Sequence, residues 1–205
     1  SAFNNSYDVN AYVGYMYGTP GSSTYEETHK NTNDSNLKQT IDKWYENNLK
    51  NNYSNYLTDS GYCGDRSSLT INDTAGVGTM ITYYSAYARV SSSRPELKCV
   101  KMNDLYTTST SNTGNKALKY PIATVTADEV LMSGSSGGVF DGAWNYTHQS
   151  NNYLNINKKY WTMTPVGEYI SYGVKRPYSN VLFIYNSKID DIEPYNDYDF
   201  RPVIN

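Results

Sequence analysis

The chain has 205 residues, enough to bury a full core, and no shift in composition divides it, so a single domain over 1–205 is expected. It carries 23 Tyr against 4 Phe, with 38% apolar and only 18% charged residues; because a buried tyrosine needs a partner for its hydroxyl, many of these rings are expected to sit half exposed. A net charge of -3 with scattered lysines excludes nucleic acid as a partner, since neutralising phosphates takes clustered Lys and Arg. No stretch approaches a membrane-spanning helix and no leader pattern is present, which predicts a mature or trimmed extracellular domain.

From the start, Ala11 to Tyr17 alternates aromatic and aliphatic residues and stops at Gly18-Thr19-Pro20-Gly21, which predicts a first strand and a turn. Ser22 to Asn33 reads as polar loop. Asp34 and Ser35 then offer N-caps for a helix whose Leu37, Ile41, Trp44, Tyr45 and Leu49 recur at three- and four-residue spacing, with Tyr53, Tyr56 and Leu57 returning to the core. Asp59 to Arg66 reads as a tight polar loop, in which Asp65 and Arg66 either orient a neighbouring backbone or are solvated, the solvated reading being the one favoured for an exposed pair. Ile71 to Met80 is Gly-rich and irregular, and Tyr83 to Arg89 fits either a short helix or a strand.

Pro121 to Val125 is a short apolar run, and Thr126-Ala127-Asp128-Glu129 is a capping box that opens a helix with Val130, Leu131 and Met132 facing inward. Gly134 to Gly138 reads as an internal linker. Tyr160 to Thr164 alternates as a core strand ended by Pro165, and Val181 to Tyr185 is another, turning at Asn186-Ser187.

Cys63 and Cys99 are the only cysteines. Two well-separated cysteines in such a chain suggest one disulfide and an oxidising compartment, stabilising by roughly 3 to 4 kcal/mol; the alternative is two buried thiols. Catalysis needs a positioned nucleophile, acid or metal. His29 and His148 fall in polar loops with no second His or Cys at ligand spacing, so both read as solvated, and no catalytic residue, metal ligand or cofactor is assigned.

The C-terminal region points to recognition instead. Tyr169, Tyr172, Arg176, Tyr178, Tyr185, Tyr195 and Tyr198 stand among Asn, Ser and Asp, and Tyr gives wide contact area at low entropy cost while small polar residues supply hydrogen bonds. These seven are the candidate ligand-binding residues, expected to be exposed and clustered over buried Trp161, Phe183 and Val203.

Thr124 to Gly134, Tyr160-Trp161-Thr162-Met163-Thr164-Pro165 and the closing Phe200-Arg201-Pro202-Val203 together resemble the bacterial form of the C-type-lectin-like fold, shared by formylglycine-generating enzymes and the variable proteins of diversity-generating retroelements. Val13 to Gly18, Trp44 to Leu49, Cys63 to Ser67 and Leu97-Lys98-Cys99 are similar to secreted or pilin-associated surface domains of gut bacteria. The resemblance implies one α+β domain with two helices and a small mixed or antiparallel sheet, loop-rich, whose first strand pairs with its closing strand. It also implies that 167–199, lying between Trp161 and Arg201, is a variable binding region. The formylglycine-generating branch uses cysteines late in the domain, and none follows Cys99 here, so that activity is excluded.

Lectins of this fold hold sugar through calcium with Glu-Pro-Asn and Trp-Asn-Asp runs; here Tyr195 breaks Glu193-Pro194-Tyr195-Asn196-Asp197, and the acidic turn with Asp190-Asp191 reads as solvated. Sequons at Asn52 and Asn145 arise readily in an Asn- and Ser-rich chain. The sequence therefore predicts a non-enzymatic extracellular or cell-surface adhesin or ligand-binding domain, with a protein or glycan as partner. The alternatives are a structural subunit of a pilus or surface layer, or a calcium-assisted lectin.

Overall fold

In the computed structural model, which describes residues 1–22, 24–68, 82–134, 139–140, 143–144, 154, 158–170, 177–185 and 188–204, the chain is a mixed α and β fold. The strands at 168–170, 177–185 and 188–192 are described by backbone, Ile189 excepted. In chain order the elements are β1 (Met16–Tyr17), α1 (Tyr25–His29), β2 (Asn33–Asp34), α2 (Asn36–Asn48), β3 (Tyr62–Cys63), β4 (Thr82–Tyr83) and α3 (Ser85–Ser91). Then come β5 (Leu105–Tyr106), β6 (Ala123–Thr124), α4 (Ala127–Met132), β7 (Val139–Phe140), β8 (Ala143–Trp144), β9 (Tyr160–Ile170), β10 (Pro177–Tyr185), β11 (Lys188–Ile192), β12 (Asp199–Phe200) and β13 (Pro202–Val203). The described residues thus hold four α-helices, where two were expected.

β9 organises the molecule. It pairs with β10 along one edge, and on the other with β12 at Tyr160–Trp161 and β4 at Gly167–Glu168, while β11 extends the sheet beyond β10. Side chains alternate across a strand, so β9 divides two cores. Trp161 and Met163 enter one with Phe3, Leu37, Ile41, Tyr45 and Tyr106; Tyr160 and Val166 enter the other with Val90, Val130 and Leu131. Pro165 does not end the strand. It falls at a register shift opposite Val181, one of the few places where a sheet tolerates a residue without an N–H donor.

The helices with local sequence signals form as expected. Ser35 caps α2 by accepting the Lys38 N–H, and Leu37, Ile41 and Tyr45 are buried while Trp44 and Leu49 pack half-buried at the margin. The capping box of α4 is complete, with Glu129 accepting from Thr126 N–H at 2.7 Å and Thr126 from Glu129 N–H at 3.1 Å. Val130 and Leu131 face inward, but Met132 is exposed, because a six-residue helix cannot bury three consecutive positions on one side.

Several expectations are corrected. Ser22 to Asn33 contains α1, capped by Thr24, and the first residue of β2. Tyr12 to Tyr17 is not a continuous strand: a 3-10 turn over Asn10–Val13 precedes β1, which pairs with β2 instead of the closing strand. The Ala2–Asp197 bridge holds the two chain ends together, and β13 pairs with β6. Tyr53, just before the 3-10 turn Ser54–Tyr56, and Tyr56, its last residue, project into solvent, and Leu57 alone of the three packs on the core. Residues 83–89 divide into the end of β4 and the first turns of α3. Val203 is half-buried, and the Phe183 side chain lies outside the described residues, as do residues 71–80 and 135–138.

Cys63 and Cys99 form a disulfide, closing the segment between β3 and the approach to β5. Asp65 and Arg66 are 3% and 1% exposed, which overturns the solvated reading, and Asp65 Oδ1 accepts the Ser67 N–H, as the backbone-orienting alternative has it. Arg66 pairs with the fully buried Asp104, its Nη2 2.7 Å and its Nε 2.9 Å from Oδ1, and its backbone N–H donates to Oδ2. Its remaining donors reach Met16 O, Asn31 Oδ1 and His29 O. A buried guanidinium is tolerable only when its donors are met in this way. Gly14 makes room for it, since a Cβ there would stand 2.9 Å from Nη1 and 2.3 Å from the Met16 carbonyl oxygen.

Candidate functional site

Of the seven candidate residues, Tyr169, Tyr178 and Tyr185 lie on strands of the sheet. Tyr169 in β9 is the register partner of Tyr178 in β10, next to the Ile170–Pro177 pair, and in sequence Tyr172 and Arg176 fall between these strands, outside the described residues. Tyr185 is at the opposite end of β10, paired with Lys188, one residue past the Ile184–Tyr160 pair and near Asp199. Tyr178 and Ile184 are six positions apart along β10, which is about 20 Å of extended chain. Tyr169 and Tyr178 therefore stand at one end of the β9–β10 pair and Tyr185 at the other. The sequence pattern carries no register, so it could not reveal the division.

At the end holding Tyr169 and Tyr178, β4 lies along the other edge of β9, with Tyr83 opposite Gly167 and Thr82 opposite Glu168. The Tyr83 ring is exposed and stacks on Tyr87 of α3, centroids 4.6 Å apart and planes 13° from parallel. The strand-to-helix junction at Tyr84 produces this stack, because it brings a strand residue and a first-turn helix residue to one side. Tyr84 itself points inward, fully buried. Tyr83 and Tyr87 were absent from the sequence-based set, and the aromatic spacing from Tyr83 to Tyr87 was the signal available.

At the other end, Tyr195 is half exposed and lies against Tyr7, ring centroids 5.5 Å apart. Tyr198, expected to be exposed, is half-buried and belongs to the packing around Trp161, 4.9 Å from that indole, with Lys159 Nζ 5.1 Å from its ring centroid. A shallow cavity of about 330 Å³ opens there between Lys159, Asp197, Tyr198 and Asp199. The Glu193–Asp197 turn is held by its own bonds, Asn196 donating to the Glu193 carbonyl. Among the described residues no three His, Cys, Asp or Glu side chains converge as a cation site; the side chains of Asp190 and Asp191 lie outside them.

His29 is not the solvated loop residue expected. It is 2% exposed, stacked on Tyr25 at 3.9 Å, with Nδ1–H donating to the Tyr25 carbonyl at 2.9 Å and Nε2 accepting from the Tyr84 hydroxyl at 3.1 Å, the tautomer being assigned from this network. Burial, and then the nearby Arg66 charge, hold its pKa well below the ordinary imidazole value. Enclosed in this way, the ring serves packing. His148 lies outside the described residues. Burial likewise pushes the Tyr106 phenol up to about 12, and its hydroxyl bonds to the backbone of Met16.

Comparison with protein families, with curated proteins and with solved structures finds no match to this chain.

Proposed function

We propose that the chain is an extracellular ligand-binding domain of the adhesin type, built on a C-type-lectin-like scaffold, with its recognition surface at the β9–β10 end that carries Tyr169 and Tyr178. The observation that carries the reading is the pairing of Tyr169 with Tyr178 beside the exposed Tyr83–Tyr87 stack. Tyr172 and Arg176 fall in sequence between the same two strands, and interface hot spots favour Tyr and Arg in one central patch. The disulfide is compatible with an oxidising, extracellular setting, and among the described residues no helix is long and apolar enough to cross a membrane. The partner is a protein or a glycan, since tyrosine faces with neighbouring amides suit both.

Tyr185 and Tyr195 form a separate, secondary patch in this reading, and Tyr198 acts as scaffold. The test is a screen of immobilised glycans and bacterial and host cell surfaces with the wild-type domain and the Tyr172→Ala/Tyr178→Ala variant. Binding lost at unchanged melting temperature supports the reading; binding retained with stability lost would mean that the rings are scaffold. Programmed variation of 167–199 is tested in the adjoining DNA, where a near-copy of those codons differing at adenines beside a reverse transcriptase is expected.

A further inference from the structure

A second surface lies away from β10. Between the disulfide, α3 and α4 is a cavity of about 500 Å³, within the range of sites that seat small ligands or peptide side chains. Its apolar wall is made by Tyr62, the Cys63–Cys99 bridge, Ala86 and Leu105. At its mouth Leu97 and Met102 are 60% and 52% exposed, and Val100 between them is 58% exposed. Three large apolar side chains in a six-residue stretch form a ledge that extends past the cavity. Buried Cys99 in the middle of that stretch is bonded to Cys63, so the ledge is fixed before anything binds, which reduces the ordering cost of association.

The charges around the cavity are unequal. Asp65, Glu96, Asp128 and Glu129 line it against Arg89 and Lys98. Arg89 is occupied by the two aspartates: its Nε and Nη2 hold both oxygens of Asp128, at 3.0 and 2.9 Å, and its Nη1 holds Asp65 at 2.7 Å. Glu129 uses one carboxylate oxygen in the capping box. Glu96 is exposed, and its carboxylate makes no hydrogen bond or ion pair among the described residues. The cavity therefore offers an apolar seat with two carboxylates at its edge and an excess of negative charge.

We infer that this cleft docks a cationic, amphiphilic peptide segment of another protein, with a Leu- or Met-sized side chain seated against Leu97, Met102 and Leu105 and an adjacent Lys or Arg paired with Glu96 and Glu129. The ledge beyond the cavity favours an extended segment over a compact small molecule. The unequal charge favours a basic one.

The test uses the whole domain with labelled Leu and Met methyl groups, titrated with the capped peptides Leu-Lys-Leu-Lys and Leu-Glu-Leu-Glu and followed by NMR. Saturable shifts of Leu97 and Met102 with the lysine peptide alone are expected. Affinity should fall roughly tenfold in Glu96→Gln/Glu129→Gln, in which glutamine still serves the capping box, and should also fall in Leu97→Ser at unchanged melting temperature. Equal binding of both peptides, no saturable shift at millimolar peptide, or shifts that track protein concentration without peptide would each overturn the inference, the last by making a second copy of the chain the occupant. Tyr172→Ala/Tyr178→Ala should leave these shifts unchanged, so this surface stands or falls apart from the β9–β10 surface.

Discussion

The two ends of β9 are made of the same kinds of residue and are held very differently. At Tyr160–Trp161 the strand is clamped on every side: the indole is fully buried, meets Phe3 edge-on at 5.6 Å, and donates from Nε1 to the Ser1 carbonyl at 3.0 Å. Thr124 there lies within hydrogen-bond distance of the Trp161 and Arg201 carbonyls. At Gly167–Ile170 the described pairing is with β4 and β10 alone, and the exposed Tyr83 ring of β4 leans on Tyr87. One strand can thus anchor a core and present a surface, provided the anchoring is completed before the presenting end begins. The cost of substitution should fall along it.

Truncation at the anchored end should have the largest effect. Trp161→Ala is expected to lose about 3–5 kcal/mol in urea unfolding, from lost burial plus the cavity left behind. Arg66→Ala should lose a similar amount, about 3–5 kcal/mol, by leaving Asp104 charged, buried and unpaired. A smaller loss in either would mean that the surrounding core collapses to fill the gap. Removing the disulfide by Cys63→Ser/Cys99→Ser should cost roughly 3 to 4 kcal/mol, since the bridge spans a sequence separation of 36. Unchanged thermal unfolding of that variant would place its contribution near zero.

The next effect is a pH dependence. His29 is neutral in the folded protein because burial and Arg66 oppose its charge, whereas the unfolded chain takes up a proton below the ordinary imidazole value of about 6.5. The unfolded state then binds more protons, so the stability tied to this group is complete above about 6.5 and falls as pH drops toward its folded pKa. His29→Phe should flatten the fall in unfolding free energy below about pH 6.5, and a profile as steep as wild type would assign the slope to other groups. At the presenting end, Tyr83→Ala is expected to cost below about 1 kcal/mol in the same assay while weakening ligand capture. A larger loss would show that the Tyr83–Tyr87 stack is part of the anchoring.

What could be read in advance depended on how local the cause was. α2 and α4 carry their signals within a few residues, an apolar stripe with Ser35 before it and a reciprocal Thr126–Glu129 cap, and both formed as expected. The cysteine pair was legible from composition. Arg66 and His29 were not, because the groups that make their burial tolerable come from Asp104, Asn31, Met16 and Tyr84, far away in sequence. α1 is five residues long, too short for a period to show. Of the candidate residues, sequence showed the tyrosines' order along the chain, and strand register, which no tyrosine announces, puts Tyr169 and Tyr178 at one end of the β9–β10 pair and Tyr185 at the other.

The clamp around Trp161 also bears on how the chain reaches this state. Phe3 is seated on a ring made 158 residues later, and Ala2 bridges Asp197. Contacts of such separation carry a large loop-closure cost and slow folding. During synthesis the Phe3 ring lacks Trp161, and Ala2 lacks Asp197, until those late residues have left the ribosome. The helix α2 can form early, but Phe3, whose carbonyl accepts the Leu37 N–H, leaves an apolar face of that helix waiting for the last strands. Refolding should accordingly be slow and late to protect the amides around β9, with the anchored end closing as the final step.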